Sequence, residues 1–503
     1  RESLNESQGT SLYGFIGRTT DWDSNVSDIL VDSIETQYNV WSDMIYSKRI
    51  YYSDVSFVVP RIDWSSGSNF VQYDPRNYDF HSSNSYCHTS NNKVYICISN
   101  NDGSLSTVEP NGEGTSPEET ADGYKWQYLY KIDSLSGLKF MDVTGSWIPV
   151  LENEDLQTGA TKGRVVQINV SNTGEYLTYN HSGYDLTISS DTGTNLEATV
   201  TLQYDGGIKS IDVTDAGTYN ETSCTHSLAA ISSTGSGFTG TIYLESDGSA
   251  NSETITISNS GSNYYDSNTT IYIANVEDPV SNAVFSPNVK QFVVDDVTIT
   301  NQGQNYRDVT ITLDHPSIET NAVFQGVINP AYGLGYNMVN DLWSQWLMYN
   351  MKTKEIAIDD DLMGGNSYRM IGLIVDPQDR ANNCTATRDT YNQTTTLDLT
   401  GMSVTSYFKN NELITQDVSN ATGTVVWHDN TNHKLYVYKT AGTFTTNEQI
   451  SSDTASSNGI ASITQPGLIQ DLGDIIYLEY LDNDDAIERQ SNQGENHIIV
   501  LKY

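Results

Sequence analysis

Along most of the chain, apolar residues recur at every second position in short runs separated by Asn, Asp, Gly, Ser and Pro. That is the pattern of half-buried β-strands joined by polar turns. Val55 to Val59, Val94 to Ile98 and Trp126 to Ile132 are rich in aromatic and β-branched residues and are predicted strands. Tyr368 to Val375, ending at Asp376-Pro377, is another. Asp474 to Tyr480 and His497 to Tyr503 are predicted to return to the sheet of the first domain. Helical spacing occurs twice. Asp32 and Glu35 resemble a capping box, and Ile34, Tyr38, Trp41 and Ile45 follow at helical intervals, predicting a helix through Tyr46. Met338, Leu342, Trp346 and Tyr349 share one face, widened by Val339, Trp343 and Leu347, predicting a buried helix over Met338 to Met351. Asp102 to Asp122, rich in Gly, Pro, Glu and Thr, reads as a long loop.

Two stretches repeat. Ile168 to Tyr176, Ile211 to Tyr219, Ile255 to Tyr264 and Val297 to Tyr306 share one pattern: an alternating strand, an Asn- or Asp-containing turn, a glycine and a tyrosine. The glycines, Gly174, Gly217, Gly261 and Gly303, are 43, 44 and 42 residues apart, which marks an internal repeat over 163–329. The glycine suits a positive φ in the turn, and the tyrosine is placed to cover it. Each unit is expected to be a few short strands, read either as a stacked spacer or as an array presenting a ligand site. A second repeat aligns Phe408, Glu412, Ile414 and Gly423 with Phe444, Glu448, Ile450 and Gly459 at an offset of 36 residues. It predicts a small barrel or sandwich over 400–465. The expected class is therefore mainly β: a layered β-sandwich core with a few helices in loops, carrying two inserted all-β repeat modules. The core is expected to comprise 1–162, 330–399 with one helix, and 466–503.

Composition narrows the function. The 503 residues hold 25 Lys and Arg against 64 Asp and Glu, a formal charge of −39, and 33 Tyr against 11 Phe. So few cations give little to neutralise phosphate or anionic head groups, so neither nucleic acid nor a membrane surface is an expected partner. No apolar run approaches the roughly 18 residues of a spanning helix. Four cysteines, Cys87, Cys97, Cys224 and Cys384, do not make a disulfide framework in a chain this long and are expected to be free thiols made in a reducing compartment. The chain opens at Arg1 without a basic-then-apolar signal segment, and further N-terminal residues are expected to precede it.

Catalytic patterns are weak. Gly235-Ser-Gly237-Phe-Thr-Gly240 matches a dinucleotide-binding spelling, but it lies between predicted strands with no helix to receive a pyrophosphate. Cys87, His88 and Cys97, and separately Cys224 with His226, combine zinc-ligating types without a complete four-ligand spacing, and are expected to be ordinary strand and loop residues. Asp359 to Asp361, and Asp482, Asp484 and Asp485, lack the twelve-residue calcium-loop pattern and read as solvated turns. A polysaccharide-cleaving carboxylate pair would have to face across a cleft, which spacing does not specify. No catalytic residue, cofactor or metal is expected.

Outside the repeats, Phe15-Ile16-Gly17-Arg18 with Trp22, the helix around Trp41 and Met44, Pro60-Arg61-Ile62-Asp63-Trp64, Tyr95 with Cys97, and Asp122 to Tyr130 form a recognisable series. It continues in Tyr368 to Ile374 with Asp376-Pro377, Gly473 to Tyr477 and Gln493 to Leu501. These segments, about half of the chain, resemble the wedge protein "eight" family of the baseplate in T-even-like contractile-tailed bacteriophages. The resemblance implies a structural, non-enzymatic homodimer in the virion tail baseplate, assembled in the host bacterial cytoplasm. It further implies contacts with other wedge proteins and with tail-fibre or pin proteins, and a part in the rearrangement before sheath contraction. Arg61, Trp64, Tyr124, Trp126 and Tyr128 are its interface candidates, against the alternative that the aromatics fill the core. The two inserted modules depart from the family pattern. They are expected to contact neighbouring proteins or, in the alternative reading of a tail-associated adhesin, to bind carbohydrate through Tyr, Asn and Asp of the repeat turns.

Overall fold

The computed structural model describes residues 10–23, 34–75, 83–101, 103–141, 145–177, 183–276, 279–330, 332–352, 365–402, 407–489 and 495–502. The chain is mainly β, its named strands pair antiparallel, and four short α-helices occur among the described residues. It divides into two compact units. One comprises 1–61, 132–150 and 344–503; the other comprises 62–131 and 151–343. Residues 62–131, expected in the core with the N-terminal strands, thus belong with the repeats.

The first unit is a β-sandwich. Its five-stranded sheet runs Thr390–Asn392, Met44–Ile50, Leu12–Gly17, Met370–Val375 and Asp474–Tyr480 in spatial order. Its four-stranded sheet runs Asn496–Lys502, Trp346–Lys352, Val55–Pro60 and Trp147–Pro149. Both C-terminal strands join the sheets that hold early strands, but as edge strands whose partners are Met370–Val375 and Trp346–Lys352. Period-two alternation explains the layering. Leu12 and Ile16 join Tyr349, Met351, Leu373 and Ile499 in the core between the sheets. Tyr13 and Phe15, pointing the other way, pack with Val40, Trp41, Met370 and Ile374. The central strand is buried on both faces, and its residues alternate between two cores.

Two predicted helices are shorter than the periodicity implied. The first runs Ile34–Asp43 and gives way to the strand Met44–Ile50; Asp32 lies outside the described residues. The second is confined to Met338–Asp341. Trp343 adopts φ +50°, which turns the chain, and Trp346–Lys352 becomes a strand paired on both sides. Leu347, Tyr349 and Met351 face one core while Trp346 and Met348 face the other. A run apolar on both faces satisfies helix and buried-strand templates alike, and here two sheet neighbours decide.

A seven-stranded sheet also belongs to this unit, from Ser456–Ser457 at one edge through Ile450–Ser451, Leu413–Gln416, Thr422–Asp429, Lys434–Ala441 and Thr395–Thr400 to Gly459–Thr464. It starts at Thr395, a few residues before the expected boundary, and curls so that Leu397, Ile414, Val425, Val437, Ile450 and Ile460 share one core. The 36-residue repeat is visible in matching positions, with Phe408 and Phe444, and Ile414 and Ile450, in the shared core. Asn411 and Asn447 have φ +65° and +63°. The Glu412 carboxylate accepts from the Ser452 hydroxyl at 2.8 Å, while Glu448 accepts from the Ser419 N–H at 3.2 Å.

In the second unit, the repeat region resolves into two copies of one six-stranded motif, the second nested inside the first. The outer copy pairs Val165–Asn172 with Val323–Ile328, and orders Thr310–Leu313, Tyr184–Ser189, Thr194–Tyr204 and Phe292–Gln304 in a sheet. The inner copy pairs Ile208–Asp215 with Val284–Val289, and orders Thr270–Ile273, Thr225–Ile231, Ser236–Tyr243 and Ile255–Ser262. The connections of these six strands correspond, the outer sheet alone continuing into Glu175–Tyr176 and Ile318–Thr320, and each copy has its own hydrophobic core. The inner copy hangs from a ribbon in which Tyr204 pairs with Phe292 and the Asp205 N–H donates to the Gln291 carbonyl at 2.9 Å. Where the outer copy begins and ends, Arg164 and Asn329 are joined by two hydrogen bonds of 2.9 Å.

Candidate functional site

The interface candidates fall in different settings. Arg61 lies in the first unit, half-buried, its N–H donating to the Ser146 carbonyl at 2.9 Å. The other four belong to the second unit and are built around the four-stranded sheet Tyr86–His88, Lys93–Ser99, Lys125–Lys131 and Glu118–Glu119. Tyr124 and Trp126 are completely buried. They stack at 5.5 Å between centroids, and Phe70 meets Trp126 edge-on at 5.0 Å. Tyr124 and Trp126 therefore have no surface to give a partner, and core filling is their role. Trp64 and Tyr128 pack against the same cluster but remain half-buried, with the Trp64 indole N–H donating to Ser106 Oγ at 3.1 Å.

The long loop over this cluster is anchored by two carboxylates. Asp122 accepts from the Thr107 and Val108 N–H groups at 2.7 and 2.9 Å, and Glu118 accepts from those of Asn111 and Gly112 at 3.0 and 2.9 Å. Partial burial pushes the Asp122 carboxyl up, but hydrogen bonds from Thr120, Val108, Thr107 and Tyr124 outweigh it and hold the pKa at about 2.

The repeat turns are one device used four times. In each, the Asn or Asp two residues before the glycine accepts that glycine's N–H: Asn172 from Gly174, Asp215 from Gly217, Asn259 from Gly261 and Asn301 from Gly303, at 2.9 to 3.0 Å. All four glycines have φ between +61° and +66°. The tyrosines then reach across to another segment, and their hydroxyls accept backbone N–H groups: Tyr176 from Ala322 and Tyr219 from Ala283, both part-buried, and Tyr264 from Phe238 and Tyr306 from Leu196, both buried. These tyrosines are 0 to 6% exposed. Their burial agrees with the reading in which these tyrosines are packing, and leaves them no surface for the alternative of sugar binding: they are structural latches. Gly235, the first glycine of the dinucleotide-like spelling, lies against the Tyr264 ring, where an added Cβ would come within 2.1 Å, and the chain continues as antiparallel strand.

An open groove of about 950 Å³ lies elsewhere in the second unit. Tyr306, Arg307, Tyr332, Asn340, Trp343 and Lys162 line it. Tyr332 is 66% exposed and stacks on Tyr336 at 5.2 Å. Sequence reasoning missed it because its walls come from five segments far apart in the sequence.

Of the zinc-ligating combinations, one disperses and one converges. Cys87 and Cys97 are buried among Phe70, Tyr95 and Trp126, and burial pushes both thiols up. His88 turns away to Asp63, its Nδ1 2.7 Å from Oδ1. Cys224 and His226 instead meet, Sγ to Nε2, at 3.1 Å. Glu221 Oε2 approaches the same nitrogen at 3.2 Å, and sequence reading had not included it. Asp359 to Asp361 lie outside the described residues, while Asp482, Asp484 and Asp485 sit exposed around a 3₁₀ turn, as solvated side chains do. Compared with known proteins, the chain matches no family model and no curated protein sequence.

Proposed function

We propose that this chain is a structural subunit of a contractile-tail baseplate wedge. In this reading it forms a homodimer that links peripheral and inner wedge proteins and shifts between interfaces as the baseplate rearranges before sheath contraction. The supporting observation is how the resembling segments sit in the first unit. Phe15 to Gly17 pair on one side with Met44 to Ser47 and on the other with Met370 to Gly372, and the neighbouring Leu373 and Ile374 pair in turn with Tyr477 and Ile475. Segments hundreds of residues apart thus share one continuous sheet. Arg18 adds to that framework, its guanidinium 3.7 Å above the Trp22 ring and 3.2 Å from Asp43. Light scattering on the purified full-length chain tests the reading. A stable particle of about 111 kDa, twice the 55.7 kDa chain mass, supports it, and a monomer at every concentration overturns it.

A second reading, a carbohydrate-binding tail adhesin, draws on the groove at Tyr332 and Trp343. Stacking aromatics beside amide and cationic groups suit sugar rings and their hydroxyls. Saturable polysaccharide binding that Tyr332→Ala abolishes would favour it over the wedge.

A further inference from the structure

We propose that Glu221, Cys224 and His226 form a binding site for a thiophilic divalent cation, with zinc the ion that fits the donor set. Among the described residues, these three alone bring one ligand atom each to within 4.8 Å of one another. Thiolate, imidazole and carboxylate are all zinc ligands, bonding at about 2.3, 2.0 and 2.1 Å. A tetrahedral ion with those bonds separates sulfur from nitrogen by about 3.6 Å and nitrogen from oxygen by about 3.4 Å. The corresponding distances here are 3.1 and 3.2 Å, so small side-chain rotations admit the ion.

The local backbone explains the convergence. Cys224 and His226 are two residues apart where the strand Thr225–Ile231 begins, so alternation puts both side chains on the face that carries the buried Leu228. Ser223, at φ +56°, turns the preceding chain and brings Glu221 back alongside them. The Ser223 N–H donates to the Glu245 carbonyl at 3.3 Å, and the Cys224 carbonyl accepts from Leu244 at 2.9 Å, fixing the segment to the neighbouring strand. The His226 side chain is only 10% exposed while Glu221 is 42% exposed, leaving a path in from solvent.

Hydrogen bonding alone leaves the arrangement poorly satisfied. A single ring nitrogen faces both a sulfur and a carboxylate oxygen, and one proton on Nε2 serves two acceptors. A cation in its place is bound by all three, the thiol proton passing to solvent and the ring taking the tautomer with its proton on Nδ1, which frees Nε2 for the ion. The internal duplication points the same way. The outer copy has Tyr184 where the inner copy has His226, two residues before the matching core residues Leu186 and Leu228. Tyr184 packs edge-on against His315 at 4.6 Å, so only the inner copy carries this donor set. Bound there, the ion clamps the loop after Tyr219 to the sheet of the inner copy.

The test uses the full-length chain, reduced and stripped with chelator, then titrated with zinc sulfate. The expected result is one zinc per chain, lost in Cys224→Ser and in His226→Ala, weakened at least tenfold in Glu221→Gln, and retained in Cys384→Ser, whose thiol is exposed. Cobalt in place of zinc should give a thiolate charge-transfer band that Cys224→Ser lacks. Substoichiometric zinc, or full zinc retained by Cys224→Ser, overturns the proposal. Should a variant fail to fold, alkylation of the wild type mapped by mass spectrometry decides. Zinc slows modification of Cys224 and spares Cys384 if the site exists; equal rates with and without zinc overturn it.

Discussion

Removing the hydroxyl of a latch tyrosine leaves a buried N–H without its acceptor, so Tyr306→Phe should cost about 1–3 kcal/mol, seen as a lower denaturation midpoint for the repeat region. Gly193→Ala should act on the same latch from the other side, because an added Cβ there would come within 2.0 Å of the Tyr306 ring. A different single residue controls pH dependence. Asp341, 1% exposed, accepts the Gly335 N–H at 2.7 Å; burial outweighs that bond and raises its carboxyl to about 7. A folded pKa above the unfolded one favours the folded state while the group is protonated. The contribution is full below about pH 4 and is lost as pH rises through about 7, a change on the order of 4 kcal/mol. Asp341→Asn should flatten that fall, read as Tm against pH; an unchanged slope would assign it to other groups. Asp122 works in the opposite sense, stabilising its loop above the ordinary carboxylate range and releasing it only as pH drops toward 2. Turn glycines and capping Asn or Asp were legible because local chemistry dictates them. The distant partner of each tyrosine was not, since it belongs to another segment.

For whole elements, periodicity located the strands well but misjudged two helices, for a shared reason. Met44–Ile50 and Trp346–Lys352 are buried on both faces, and such strands lose the alternation that separates them from helices. The repeat was equally visible yet its organisation was hidden. Four glycines at near-equal spacing read as four consecutive units, whereas the hydrophobic cores group the first with the fourth and the second with the third. Near-equal spacing arises because the inner copy matches the outer one in length between corresponding turns. Nesting makes a specific prediction about independence. Tyr204 and Phe292 are paired and Asp205 is bonded to Gln291, so Gly206 to Lys290 should be replaceable by Asn-Gly, which closes an antiparallel hairpin in two residues. The shortened chain should keep a cooperative unfolding transition for the outer copy, whose core residues Val165, Leu196, Val200, Leu202 and Ile311 all lie outside the deletion. Loss of that transition would mean that the copies fold as one body.

At the scale of the whole molecule, net charge constrains every assembly the chain can enter. Each copy carries −39, so self-association brings like charge together, and repulsion acts across the roughly 30 Å Debye length at 0.01 M salt but only about 10 Å at 0.1 M. If dimerisation rests on apolar contact, salt should strengthen it: the dimer fraction measured by sedimentation should rise between those ionic strengths. A dimer that weakens with salt would instead be held by ion pairs between copies. The buried Tyr124 and Trp126 cannot supply the apolar contact, whereas Leu135 and Leu138 on the helix Ser134–Phe140 are 74% and 81% exposed, one turn apart. Leu138→Asp should leave the monomer stable, because the side chain leaves little packing behind, and should shift the equilibrium toward monomer. The same charge balance shapes the choice of other partners. A neighbour presenting Lys and Arg gains attraction and loses it with salt, so heterologous contacts of this chain should weaken under the ionic conditions that tighten its own dimer.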